Sequence, residues 1–233
     1  MSGLSGFAFG VVSLSIWAWA IGPASAGPMV VFGSLLGQAL TLGSLRTVRR
    51  SLDASRLGPF IAGGLLGVPA GVLLLHHIDL RGFKLAVGLI LVLWCPAMLV
   101  AGNAGRVTAG GRWADAAVGW VGGVMGGLGG LTGPAPVLWC TLRGWDRDAQ
   151  RAVFSSFNIA MQIVILAVYL GTGTIDGTTA RLFAIIAPAI VLPALLGAHL
   201  YSRFSAAAFR RLVLVLLTVS GAALIASTLH HVR

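Results

Sequence analysis

The chain has 233 residues, 57% of them hydrophobic and 9% charged, with a mean hydropathy of +0.93. A soluble domain carries about 25% charged residues, so this composition excludes a water-facing surface around a single core. The bases outnumber the acids to give a formal net charge of +10, but they fall in short stretches between apolar runs, where they set orientation and meet anionic lipid rather than nucleic acid.

Each bilayer crossing takes about 20 mostly apolar residues, which leaves room for about seven to nine crossings and none for a separate soluble domain. Apolar runs bounded by charges or Gly/Pro clusters predict helices near 3–21, 28–45, 57–76, 83–102, 114–131, 152–171, 180–201 and 208–229. An apolar run ending in Ala24-Ser25-Ala26 has the look of a signal-peptidase site. No Lys or Arg precedes Phe7, however, so it is read as the first membrane helix.

Between the fifth and sixth runs lies a leftover, Pro134 to Leu142, too short to span alone. It follows Gly127-Leu128-Gly129-Gly130-Leu131-Thr132-Gly133, and reads as a broken or re-entrant element. Irregular backbone at membrane depth is tolerated only where protein or a watery cavity satisfies it.

Orientation follows from the bases. The loop 46–56 holds Arg46, Arg49, Arg50 and Arg56 against Asp53, which predicts a cytoplasmic loop. Counting onward puts 77–82 outside and 103–113 inside; if 114–142 enters and returns, 143–151 is inside, 172–179 outside and 202–211 inside. The C-terminus then faces out, although His230, His231 and Arg233 argue weakly against that.

The expected architecture is therefore an all-α polytopic membrane protein with about eight transmembrane helices plus the short broken helix, in two related halves, 1–102 and 114–229. Leu66-Gly67-Val68-Pro69-Ala70-Gly71 resembles Val191-Leu192-Pro193-Ala194-Leu195-Leu196-Gly197, and Gly27-Pro28 parallels Gly133-Pro134. Corresponding loops would take opposite sides, the arrangement of an inverted repeat.

The most informative segment runs from Gly119 to Pro136. Glycines at 119, 123 and 127, and again at 122, 126 and 130, make two rows along a helix. Such rows permit close packing within the chain and dimerisation equally well. They end at Thr132-Gly133-Pro134, where unwound backbone would bare amides at a helix N-terminus, a ready anion site. A similar break at Gly22-Pro23-Ala24-Ser25-Ala26-Gly27-Pro28 opens the second helix, and two breaks in matching halves predict a midplane site between them.

Within the runs the polar inventory is thin, and no acid sits in the middle of any of them. Cation transporters usually bury a carboxylate, so this tilts the substrate toward an anion or a neutral molecule. Ser155, Asn158 and Gln162 would share one helix face, either lining a pathway or bonding neighbouring helices. The candidate substrate-binding set is Gly22, Ser25, Gly27, Gln38, Gly130, Thr132, Gly133, Ser155, Asn158 and Gln162. Arg151 would anchor a cytoplasmic loop or lure anions to its mouth. Cys95 and Cys140 read as core residues. No His, Cys or carboxylate cluster calls for a metal, and no cofactor is expected.

Gly130-Leu131-Thr132-Gly133-Pro134-Ala135-Pro136, then Leu142-Arg143-Gly144-Trp145-Asp146-Arg147-Asp148-Ala149-Gln150-Arg151-Ala152-Val153-Phe154, resembles the sulfite exporter TauE/SafE family of permeases, as does Gly67-Val68-Pro69-Ala70-Gly71. The resemblance implies a secondary transporter, not an enzyme, that moves sulfite, a sulfonate or another organosulfur anion across the inner (plasma) membrane as a multi-pass protein. Protons and the membrane potential are the candidate driving forces, and membrane lipids the surroundings. The alternatives are an anion channel, a structural subunit, and an intramembrane serine protease built on Ser220 and His199.

Overall fold

The computed structural model describes residues 13, 23–40, 54–101, 107, 110–145, 147–175, 177, 179, 181, 183, 187–188, 214–215, 217–219, 221–223 and 225–228. Among them the structure is helical, with no strand. Six helices follow in order: α1 (Pro23–Leu40), α2 (Ala54–His77), α3 (Leu80–Ala101), α4 (Gly111–Gly129), α5 (Pro134–Leu142) and α6 (Arg147–Gly171). Among the described residues two spans, Ala54–His77 and Ala152–Gly171, are long and apolar enough to cross a membrane.

Most of the expected first helix and of 180–213 lies outside the described residues. The repeat match at 191–197 falls there too, as do Gly22, Ser220 and His199.

The most extensive interface joins α2 to α4, and glycine makes it. A Cβ on Gly63, Gly67 or Gly71 would collide with the carbonyl oxygen of Ala116, Trp120 or Val124 in turn. A Cβ on Gly119, Gly123 or Gly127 would meet the carbonyl of Phe60, Gly64 or Val68, in every case inside the 3.0 Å that real Cβ contacts respect. Side-chain-free surfaces let two backbones approach this closely, where dispersion and Cα–H···O contacts act over the whole length. The pairing advances four residues at a time in the same direction on both helices, so α2 and α4 run parallel.

The second glycine row faces elsewhere. A Cβ on Gly122 would sit 3.0 Å from the Thr132 carbonyl oxygen, and one on Gly126 within 2.8 Å of Ile165 and closer still to Thr132. One on Gly130 would lie 2.8 Å from Val30. The first row therefore packs α2, while the second makes room for the break, α6 and α1. Both are used inside one chain, and neither is left over as a dimer face.

Helix α4 stops at Gly130, whose φ of 75° places it in the left-handed region; its N–H returns to the Gly126 carbonyl, an end for which glycine is the low-cost residue. After Leu131, Thr132 and Gly133 the chain turns back as α5, with Pro134 at the first helical position, where the missing N–H costs nothing. The fold-back is closed at its far end. The Trp139 indole donates to Asp115 at 2.7 Å, Arg143 reaches the same carboxylate at 3.4 Å, and the Val107 N–H donates to the Leu142 carbonyl at 2.9 Å. Residues 111–142 thus leave and return to one end, as the re-entrant expectation requires.

Helix α6 runs parallel to α2. Phe157 meets Phe60 edge-on at 6.3 Å near their starts, and Thr174 meets His76 at 3.2 Å near their ends. Helix α1 runs the other way, with Gly27 beside Tyr169 and Gln38 beside Gln162. This gathers Arg56, Arg112 and Arg143 at one end of the bundle and His76 and His77 at the other. Leu66, Leu73, Leu93, Ile163 and Leu170 stand more than half exposed on the outside, which suits an oily surrounding rather than water.

One boundary expectation is corrected. The stretch 23–28 is helical, with α1 beginning at Pro23 and running through Pro28, rather than unwound until residue 28. Pro23 is well placed as the opening residue of a helix, and the carbonyl that Pro28 leaves without a donor can be accommodated by helical neighbours in an apolar bundle. Helix α6 likewise starts at Arg147, one turn before the apolar run, because a polar first turn continues the helix beyond the apolar layer.

Alanine at Gly123 and at Gly58 makes a matched test. Gly58 has open space where its Cβ would go, so Gly58→Ala is expected to raise stability by about 0.5–1 kcal/mol. Gly123→Ala must push the α2 and α4 backbones apart and is expected to cost about 1–3 kcal/mol. Thermal unfolding of the purified protein in detergent reads the opposite signs.

Candidate functional site

Four of the residues singled out by sequence converge. Thr132 Oγ1 donates to Asn158 Oδ1, Gln162 Nε2 donates to the same oxygen at 3.4 Å, and Gln38 Nε2 donates to Gln162 Oε1 at 2.8 Å and to the Ser34 carbonyl at 3.3 Å. This chain of bonds joins α1, the break and α6. Thr132, Asn158, Gln162 and Ser34 are each at most 3% exposed.

Its depth follows from helix geometry. Asn158 and Gln162 lie about 17 and 23 Å along α6 from Arg147, in a helix about 37 Å long. The network therefore sits near mid-height, with apolar helix above and below. It contains no acid and no base. Uncharged hydrogen-bonding groups at that depth avoid the heavy desolvation of an ion, yet offer donors that hydrocarbon cannot.

The break adds backbone donors. The amides of Thr132, Gly133 and Ala135 donate to no backbone carbonyl among the described residues. Prolines at 134 and 136 remove two of the first three helical N–H groups of α5, so its N-terminus offers fewer donors than an ordinary helix start. The amides left over lie chiefly in the unwound stretch, at Thr132 and Gly133. Ser34 Oγ is buried and finds no partner among the described residues, one further hydroxyl on the helix that carries Gln38. The break is held in place from α3, where the buried Trp94 indole donates to the Pro134 carbonyl at 2.7 Å.

The glycines of the candidate set frame this region. Gly27 lies against the Tyr169 ring, whose Oη donates to the Gly127 carbonyl at 2.6 Å. Gly130 abuts Val30 and Val31. The N-terminal half of α1 thus lies against the end of α4 and the break that follows it. Gly133 caps α5. Ser25 lies in α1, with its side chain outside the described residues. Ser155 is half-buried, one turn nearer the basic end than Asn158, and does not join the network.

Sequence reasoning missed Ser34, Trp94, Tyr169 and the buried Asp115 with its partners Trp139 and Arg143. Ser34 could have been found, being one helical turn before Gln38 on the same face. Among the described residues no group of His, Cys, Asp and Glu could hold a metal ion.

A family profile described as Sulfite exporter TauE/SafE matches residues 1–224. No curated protein and no solved structure matches the chain.

Replacing Asn158 by Leu strands the Thr132 hydroxyl and the Gln162 amide in an apolar interior. A buried polar group left unbonded costs about 1–3 kcal/mol, so Asn158→Leu is expected to lower stability by about 2–4 kcal/mol, read as the unfolding midpoint in detergent. Ser155→Ala, outside the network, is expected to shift it by less than about 0.5 kcal/mol.

Proposed function

The chain belongs to the sulfite exporter TauE/SafE family, and from that premise we propose that it is a secondary transporter that binds a small sulfur-containing anion, such as sulfite or a sulfonate, at the Thr132–Asn158–Gln162–Gln38 network. Family membership makes it a membrane permease for sulfur anions. The observation that carries the finer reading is an uncharged hydrogen-bonding network at mid-height of an apolar bundle, beside an unwound break with spare amides.

An anion leaves water only if donors replace its hydration, and neutral donors do so without holding it as tightly as a buried cation would. Thr132, Gly133 and Ala135 supply N–H groups, and the network supplies hydroxyl and amide hydrogens once its internal bonds are exchanged for the substrate. The side chains now bond to one another, which suits an occluded resting arrangement better than an open conduit and favours a carrier over a channel.

On this reading the protein is multi-pass, with about eight spans in two inverted halves, in the inner membrane. The end bearing Arg56, Arg112 and Arg143 faces the cytoplasm. Export is driven by protons or by the membrane potential.

Proteoliposomes test this with labelled sulfite, sulfate, thiosulfate and a small sulfonate. Saturable flux and counterflow of one of them are expected. Thr132→Val removes one donor, and a lost hydrogen bond of about 1–1.5 kcal/mol corresponds to roughly a tenfold loss of flux. Gly133→Leu fills the break and is expected to abolish flux. No flux of any of the four from folded wild-type protein would overturn the proposal.

A further inference from the structure

The basic end of the bundle carries an ion pair that is poorly made. Arg143, at the C-terminal cap of α5, is mostly buried, and its Nη2 lies 3.4 Å from Asp115 Oδ2. A good guanidinium–carboxylate contact is about 2.7–2.9 Å and usually doubled. Asp115 is itself 3% exposed, and its other oxygen is taken by the Trp139 indole at 2.7 Å. Arg143 Nε is buried and has no acceptor among the described residues.

Nε and Nη2 form the side-on edge of the guanidinium, which an oxyanion bridges with two oxygens. Asp115 occupies one end of that edge at long range and leaves the other empty. A buried charged donor without an acceptor is costly and calls for an explanation.

The surroundings hold the guanidinium in place. Arg143 lies over the Trp139 and Trp145 rings, 5.7 and 5.9 Å from their centroids, and Arg56 lies 5.2 Å from the centroid of Trp145. Two guanidinium groups thus share one indole, with Asp115 the carboxylate beside them among the described residues. Aromatic contact fixes an arginine without using its N–H donors, and in Arg143 the Nε–H stays without an acceptor among the described residues.

We propose that Arg143 is an anion-docking residue at the basic end, taking an inorganic oxyanion or a sulfonate across Nε and Nη2 in place of Asp115. The proposal rests on the reading of the chain as an anion transporter and adds a second, cationic station outside the uncharged network. Asp115 is the internal competitor that keeps the station closed when no anion is present. Docking also breaks the side-chain contact that ties Arg143, at the end of α5, to the start of α4, and α5 begins at the break that carries Thr132. An arriving anion would thereby loosen the hairpin from the end remote from the network.

Isothermal titration of the purified full chain, in uncharged detergent with sodium sulfate and with sodium sulfite, tests this. Asp115→Asn removes the competitor and is expected to tighten both anions on the order of tenfold. Arg143→Lys keeps the charge but loses the two-donor edge and is expected to weaken them. The double variant Asp115→Asn/Arg143→Gln leaves no uncompensated buried charge, should therefore fold, and is expected to lose the site.

Unchanged or weaker binding by Asp115→Asn, or a folded double variant that keeps the wild-type number of bound anions, would overturn the proposal. So would retention of phosphatidylglycerol by Asp115→Asn with no binding of either free anion, which would make the station one for lipid phosphate. Flux in Thr132→Val reports the central site separately. Anion flux that falls with Thr132→Val but keeps its KM in Arg143→Lys would sink the docking station and leave the transport reading standing.

Discussion

The contact on which the rest depends is the backbone-to-backbone seam between α2 and α4. Each helix offers a row of three glycines to a row of carbonyls on the other, and the approach this allows fixes their parallel register. Once α4 is fixed, its second glycine row determines where the chain can fold back. Thr132 settles against Gly122 and Gly126, Val30 against Gly130, and the break is seated between α1 and α6. A single Cβ in the first row would move the second row with it, and so move Thr132 relative to Asn158.

The second organising constraint is the satisfaction of polar groups where water is scarce. A helix that stops at mid-bundle bares carbonyls and amides, and the fold answers with specific partners. The Gly130 N–H goes back to Gly126, the Pro134 carbonyl receives Trp94, and the Thr132 hydroxyl finds Asn158. Among the described residues the amides of Thr132, Gly133 and Ala135 keep no backbone acceptor and the Ser34 hydroxyl no partner.

Much of this was legible in the sequence because an apolar environment simplifies the code. Runs bounded by charges or Gly/Pro clusters placed α2, α3 and α4 within a turn of their true ends, and Pro134–Leu142 as a separate short helix. Gln38, Thr132, Asn158 and Gln162 stood out as hydrogen-bonding side chains in a hydrocarbon-like background, and they proved to touch. Ser155 shares their face but lies below the level that Thr132 reaches, a matter of axial height that periodicity does not report. The start of α1 was misread because proline marks breaks in water-exposed chains more reliably than in packed apolar ones. Asp115 and Arg143 could not be paired from sequence, since only the turn at 130–133 brings them together.

The parallel register of α2 and α4 has a consequence for how the protein is made. Gly63, Gly67 and Gly71 meet partners that lie about 50 residues further along the chain, with all of α3 between. At a synthesis rate of about 5–20 residues per second, the glycine face of α2 waits roughly 3–10 s for the helix that covers it. During that interval the face borders lipid or the insertion machinery. The order of translation, rather than the strength of the seam, then decides when the core can close, and a pause in synthesis between α3 and α4 lengthens the time for which α2 can pair wrongly.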